Sequence, residues 1–221
     1  MKTVAFRGHL FNYNTDEGFW EGLARETDKW EPEMFDILDK YLGKDKTLLD
    51  IGAWNGICSL YAAKLGATAF AIEPDKDAFY NLRENIDIND SRRVYTNKFA
   101  IADYDGGTLL YNHEKFGNSM SSIVRRDGEC HTVQCFTLMN FDTMYGAKFD
   151  LIKMDIEGAE LLVIPASMEY FKKNVCPLYL SVHPYYYPDA DKDTEMLMNT
   201  LSEIFTIDIV AKDSWLCVPK Q

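Results

Sequence analysis

Two short segments constrain this chain more than any others: Leu48-Leu49-Asp50-Ile51-Gly52-Ala53-Trp54-Asn55-Gly56 and Ala69-Phe70-Ala71-Ile72-Glu73-Pro74-Asp75. Each starts as an apolar run of strand length. The first ends in a glycine turn opening a helix, the second in an acid. Strand, turn, helix and strand in this order form a βα unit of an open parallel sheet. Glycines in the turn let the backbone approach a ligand, and a carboxylate ending the second strand accepts hydrogen bonds from a ribose diol. The two segments together predict an α/β fold with a crevice for a ribose-bearing cofactor.

The rest of the chain continues the alternation. Residues 1–30 are polar and aromatic with little periodicity and read as an N-terminal cap segment ahead of a single domain over 31–221. A helix runs from Pro32 to Gly43, with apolar residues at helical spacing. Thr47–Ile51 is strand one, Asn55–Leu65 a helix closed by Gly66, Thr68–Ile72 strand two, Asp75–Ile88 a helix and Val94–Ala102 strand three. Gly106 to Phe136 reads as a β insertion between strands three and four, with strands Thr108–Tyr111 and Thr132–Phe136 around a polar loop. Phe149–Met154 is strand four, followed by a helix near Gly158–Lys172. Leu178–Val182 is strand five and Thr194–Ile204 a helix. Thr206–Val210 and Trp215–Val218 form a terminal antiparallel pair.

Composition narrows the partners. With 23 basic and 35 acidic residues among 221, the net charge of −12 disfavours a polyphosphate-binding surface, so nucleic acid is not expected. Five scattered cysteines without a CxxC pair fit reduced thiols and a cytoplasmic setting. No apolar run approaches the roughly 20 residues that span a bilayer, and the N-terminus lacks the apolar core of a signal peptide.

The turn also discriminates between cofactors. Dinucleotide sites use G-x-G-x-x-G, whereas here Gly52 and Gly56 flank Trp54, whose indole would obstruct a pyrophosphate. Asp50, just before the turn, suits a cationic or amine-bearing ligand. S-adenosylmethionine has a sulfonium and an α-amino group and no phosphate, so the turn favours it. Asp50 is then expected near the methionine end, the backbone of Gly52, Ala53, Asn55 and Gly56 around the ligand, and Glu73 and Pro74 at the ribose. Phe99 and Ala100, after strand three, are expected near adenine.

Two further constellations carry chemistry. In Phe149-Asp150-Leu151-Ile152-Lys153-Met154-Asp155-Ile156-Glu157-Gly158-Ala159-Glu160, a lysine and an acid in an apolar strand are costly unless paired or at its end. Asp155 belongs at the carboxyl end, where open α/β sheets bind ligands. Capping and the helix dipole also account for Glu160 and for Asp155, but poorly for Lys153. In Ser181-Val182-His183-Pro184-Tyr185, Pro184 ends strand five and leaves His183 projecting into the same crevice, where an imidazole can accept a hydroxyl proton. Tyr185 and the tyrosines after it either stack on an acceptor or only cover the core edge. Asp155, Glu157 and His183 could together ligate a divalent metal, but no local ligand spacing supports this, and no metal is expected.

The chain resembles class I S-adenosylmethionine-dependent methyltransferases of the FkbM family. The match lies in LLDIGAWNG at 48–56, AIEPD at 71–75, FDLIKMDIEGAE at 149–160 and His183-Pro184. The resemblance implies a Rossmann-like, doubly wound sheet of seven strands, the last antiparallel, and O-methylation of hydroxyls on saccharides, nucleotide sugars, polyketides or related metabolites. It brings Glu31, within Trp30-Glu31-Pro32, to the cofactor. In this reading His183 and Asp155 are base candidates and Lys153 orients Asp155 or the acceptor. Asn118 and Ser119 fold over the acceptor as a lid, joined in acceptor binding by Glu157 and Tyr185. The implied partner is a small-molecule or saccharide hydroxyl acceptor, without nucleic acid or membrane; a homo-oligomer is compatible with the chain. A nicotinamide-dependent oxidoreductase and a catalytically silent S-adenosylmethionine-binding module are the alternatives.

Overall fold

A computed structural model describes residues 1–25, 29–112, 116–124 and 128–220. Parts of the expected N-terminal cap and of the β insertion lie outside the described residues. Strands β1 (Lys2–Phe6) and β2 (His9–Tyr13) pair antiparallel across Arg7 and Gly8, both at positive φ. This is the turn geometry whose twist matches a hairpin. Alternation buries Val4, Phe6, Phe11 and Tyr13 against Trp20 of α1 (Glu17–Arg25) and Phe35 of α2 (Pro32–Tyr41). The first residues are therefore a packed hairpin and helix, where sequence periodicity gave only an irregular cap.

Strand β3 (Thr47–Ile51), α3 (Ile57–Lys64), β4 (Thr68–Ile72), α4 (Lys76–Ile88) and β5 (Val94–Asn97) repeat the βα unit. Three short strands follow, β6 (Ala100–Ile101), β7 (Gly106–Asn112) and β8 (Glu129–Phe136), in a sheet of their own ordered β6-β8-β7. The chain returns through α5 (Leu138–Tyr145), β9 (Leu151–Met154), α6 (Glu160–Ala166), α7 (Met168–Lys173) and β10 (Leu178–Ser181). A 3-10 turn at Pro184–Tyr186, α8 (Ala190–Ser202), β11 (Phe205–Ala211) and β12 (Ser214–Pro219) complete it.

The main sheet has seven strands in the order β11-β12-β10-β9-β3-β4-β5, and β12 alone runs antiparallel to its neighbours. This is the doubly wound, Rossmann-like architecture expected from the sequence. Its central strands are buried on both faces, as strands flanked by helices must be. Leu48, Leu151 and Tyr179 pack toward α1 to α4, while Leu49, Ile152 and Leu180 pack toward the helices that follow β8. Successive connections leave β3 and β9 in opposite directions, so a crevice opens between their carboxyl ends. Among the described residues no helix is long and apolar enough to cross a membrane.

Local departures from the expected elements have physical causes. The third strand stops at Asn97, whose side-chain amide bonds the carbonyls of Ala71 and Tyr95, and the chain restarts as β6 in the insertion sheet. The helix expected from Asn55 begins at Ile57, because Trp54 and Gly56 both hold positive φ. The helix expected over 158–172 is two short ones, with Pro165 inside the first and Ser167 between them.

Candidate active site

A cleft of about 380 Å³ lies at the carboxyl ends of β3, β4, β9 and β10, within the range of small-molecule and cofactor sites. Glu31, Trp54 and Glu157 line it, and each is a non-glycine residue at positive φ (45°, 48° and 53°). Such backbone strain concentrates at ligand sites.

The β4 end of the cleft is built around two acids. Glu73 is 6% exposed, and its two oxygens accept hydrogen bonds from the amides of Trp54 and Asp75, both at 2.8 Å. Burial raises its carboxyl to about 7, although both amides act to lower it. Asp75 caps α4 by accepting from the amides of Asp77 and Ala78. Its other oxygen accepts from Gly117 N at 3.1 Å and from Ser121 Oγ at 2.6 Å. Trp54 Nε1 donates to the Gly117 carbonyl at 3.1 Å. The segment holding Asn118 and Ser119 is thus fastened over the β4 end, while Ser122 Oγ reaches the Glu157 carbonyl at 2.6 Å.

Gly52 is required where the turn meets β9. At φ +79°, a Cβ here would lie 1.8 Å from the carbonyl oxygen of Asp155. Gly56 has a different task, since its Cβ would lie 2.4 Å from Leu82 Cδ1. Its missing side chain admits α4, so this glycine serves packing and does not line the cleft.

Lys153 sits at the centre, 4% exposed. Parallel register places it beside Asp50, and its ammonium donates to the Gly52 carbonyl at 2.7 Å. It lies 3.3 Å from Asp50 Oδ1 and 3.6 Å from Asp155 Oδ2. Burial alone would lower its pKa, but Asp50 and Asp155 reverse that and raise it. Burial likewise opposes ionisation of Asp155, yet Lys153 and His183 hold its carboxyl down at about 2.

At the β10 end, His183 is held from both sides. Its Nδ1 is 2.8 Å from Glu160 Oε1, and its Nε2 is 3.3 Å from Asp155 Oδ1 and 3.7 Å from Glu157 Oε1. Glu160 is fully buried and also accepts from Tyr187 OH at 3.0 Å. Burial disfavours the imidazolium, but the bonds to Asp155 and Glu160 outweigh it and raise His183 to about 11. Glu31, at the start of α2, also faces this end. Burial and the charge of Asp155 raise its carboxyl to about 7.

Most residues expected at the site come together here: Glu31, Gly52, Ala53, Glu73, Pro74 and Ala100, then Asn118, Ser119, Lys153, Asp155, Glu157, His183 and Tyr185 all line the cleft. Four do not. Asp50 is fully buried behind Lys153 and accepts from Ser59 Oγ at 2.7 Å, so it cannot reach a ligand directly. Asn55 is buried, with its side-chain oxygen on the amide of Ile57. Gly56 packs on Leu82, and Phe99 turns away into the Phe136 and Phe141 rings. Sequence reasoning did not single out Met34, Ser121, Ser181, Asp213 and Ser214 as lining the cleft. Capping alone does not account for Glu160, whose carboxylate meets His183 Nδ1 where the ends of β9 and β10 come together.

Residues 50–203 match the model of the methyltransferase FkbM domain. Among curated proteins, the ribosomal protein L11 methyltransferase of Ruminiclostridium cellulolyticum is 44% identical over 69 residues, 30% of this chain and 22% of that protein. The chain thus matches under a quarter of that relative's length. Among solved structures, methyltransferase FkbM from Methylobacillus flagellatus aligns with TM-score 0.52 and 15% identity, over 89% of this chain and 60% of that one. The ribosomal protein L11 methylase of Lactobacillus delbrueckii aligns with TM-score 0.52 and 17% identity, over 85% and 77%. A Streptococcus mutans protein described as a methyltransferase, in complex with S-adenosylhomocysteine, aligns with TM-score 0.50 and 13% identity, over 86% and 96%. The chain belongs to the methyltransferase FkbM domain family.

Proposed function

We propose that this chain transfers the methyl group of S-adenosylmethionine to a hydroxyl of an uncharged, polyhydroxylated acceptor such as a saccharide. The observation that carries this reading is the convergence of Asp155, Glu157 and His183 at one end of a cleft whose other end presents Glu73. Glu73 would take the ribose hydroxyls, and Glu31 and Asp155 would face the cationic methionine end. In the lining the acids Glu31, Glu73, Asp155 and Glu157 outnumber the cations Lys153 and His183, which complements a sulfonium and an amine and disfavours phosphates. That argues against nucleotide sugars and RNA as acceptors. The sulfonium already provides a good leaving group. The protein's part is to align acceptor oxygen, methyl carbon and sulfur, which contributes on the order of 7–11 kcal/mol, and to manage one hydroxyl proton at the Asp155 and His183 end.

A protein acceptor is the second reading, favoured by the identity to an L11 methyltransferase. Labelled S-adenosylmethionine offered with neutral oligosaccharides, nucleotide sugars, polyketide-like alcohols, ribosomal protein and RNA separates the two. Label is expected on a neutral polyol as an alkali-stable ether. Label confined to protein amines or RNA would overturn the hydroxyl reading.

Cofactor binding should depend on pH through Glu73. Ribose hydroxyls donate to the ionised carboxylate, so a group raised to about 7 must lose its proton for tight binding. Below that value, affinity for S-adenosylhomocysteine is expected to rise by up to about tenfold per pH unit and to level off above it. Calorimetry across this window checks the slope, and Glu73→Gln should reduce it to the part carried by Glu31 and weaken binding at neutral pH.

A further inference from the structure

We propose that Asp155, Glu157 and His183 form a divalent-cation site that holds the acceptor oxygen. The role of the ion toward the acceptor rests on the methyl-transfer reading; the site itself does not. One observation is geometric. Asp155, Glu157 and His183 each offer a ligand atom within 4.8 Å of the others. His183 Nε2 stands 3.3 Å from Asp155 Oδ1 and 3.7 Å from Glu157 Oε1. Ligands about 2.0–2.2 Å from an ion stand roughly 3–4 Å apart, so small side-chain rotations would close the set.

A second, independent observation concerns the far side of the ring. Nδ1 of His183 lies 2.8 Å from the buried Glu160 carboxylate, which Tyr187 OH holds in place. A carboxylate on the second nitrogen of a ligating histidine fixes the ring and raises its basicity, and an ion entering here would displace the Nε2 proton shared with Asp155 to solvent. The nearby ammonium of Lys153 is committed to Asp50, Asp155 and the Gly52 carbonyl, where it holds the Asp155 carboxylate in place. Two carboxylates and one imidazole suit a divalent ion such as manganese(II) or magnesium.

In the cleft, such an ion would take the acceptor hydroxyl as a further ligand and lower its pKa. With Asp155 and His183 engaged as ligands, the hydroxyl proton would leave that end of the cleft to solvent, and the oxygen electron pair would form the new O–C bond. The C–S pair passes to sulfur, which leaves as a neutral thioether.

Titrating manganese(II) into the full chain and following the free-ion signal by electron paramagnetic resonance tests the site. The wild type is expected to take up one ion per chain. Glu157→Gln and His183→Ala should each weaken uptake by at least about tenfold, and Glu160→Gln by about 10–100-fold without touching the ion. Thermal melts confirm folding, and Glu157→Gln, on a cleft-lining turn, carries the test where buried variants do not fold. Wild type that leaves manganese free at millimolar concentration, or a folded Glu157→Gln that binds it equally well, overturns the site. Failure of S-adenosylhomocysteine to bind while manganese does would keep the site and remove its methyl-transfer role.

Discussion

Lys153→Met is expected to destabilise the fold by about 3–5 kcal/mol, the loss typical when one partner of a buried ion pair is removed. Asp50 has no solvent exposure, and Lys153 Nζ is 3.3 Å away, so the variant strands a buried carboxylate. It also removes the donor to the Gly52 carbonyl, the bond that ties the first turn to β9. The double variant Asp50→Asn with Lys153→Met should recover most of the loss, since neutral replacement of a whole buried pair is often tolerated. Urea unfolding midpoints for the four proteins of the cycle check this. A loss under about 1 kcal/mol in the single variant would mean that the pair behaves like an exposed one.

His183→Ala should lower turnover by about 10²–10⁴-fold, the span associated with losing a proton-handling group. Affinity for S-adenosylhomocysteine should hardly change, because Glu73 lies at the other end of the cleft and Lys153 still holds Asp155 in the variant. Single-turnover methyl transfer with parallel calorimetry separates the two effects. Near-normal turnover would remove His183 from the chemistry. Equal losses in turnover and cofactor affinity would mean that it only supports the cleft.

The parts of the molecule legible in the sequence are those where local pattern and global fold agree. Strands β3, β4, β9 and β10 are largely apolar runs because both faces are buried, and each is followed within two residues by one that breaks the run: Gly52, Glu73, Asp155 or His183. The hairpin of β1 and β2 was missed although its signal is present. Val4, Phe6, Phe11 and Tyr13 alternate around Arg7 and Gly8, but the apolar Ala5 and Leu10 on the exposed face hide the period of two. Asp50 illustrates a different limit. A strand's sequence gives its period but not its neighbours, and only the β3 and β9 register shows that the acid belongs to Lys153. The same limit hid the role of Glu160, and it made Asp155, Glu157 and His183 look unrelated by spacing when the fold converges them. Phe99 and Ala100 are neighbours in sequence, but the break after Asn97 sends the ring into the core and leaves the alanine at the cleft.

Calorimetric titration of the purified chain with S-adenosylhomocysteine and, separately, with NADH tests the account most directly. S-adenosylhomocysteine is expected to bind with one-to-one stoichiometry, to bind more weakly in Glu73→Gln, and to leave no competing site for NADH. Binding of NADH without S-adenosylhomocysteine would contradict the assignment of this cleft to a methyl donor.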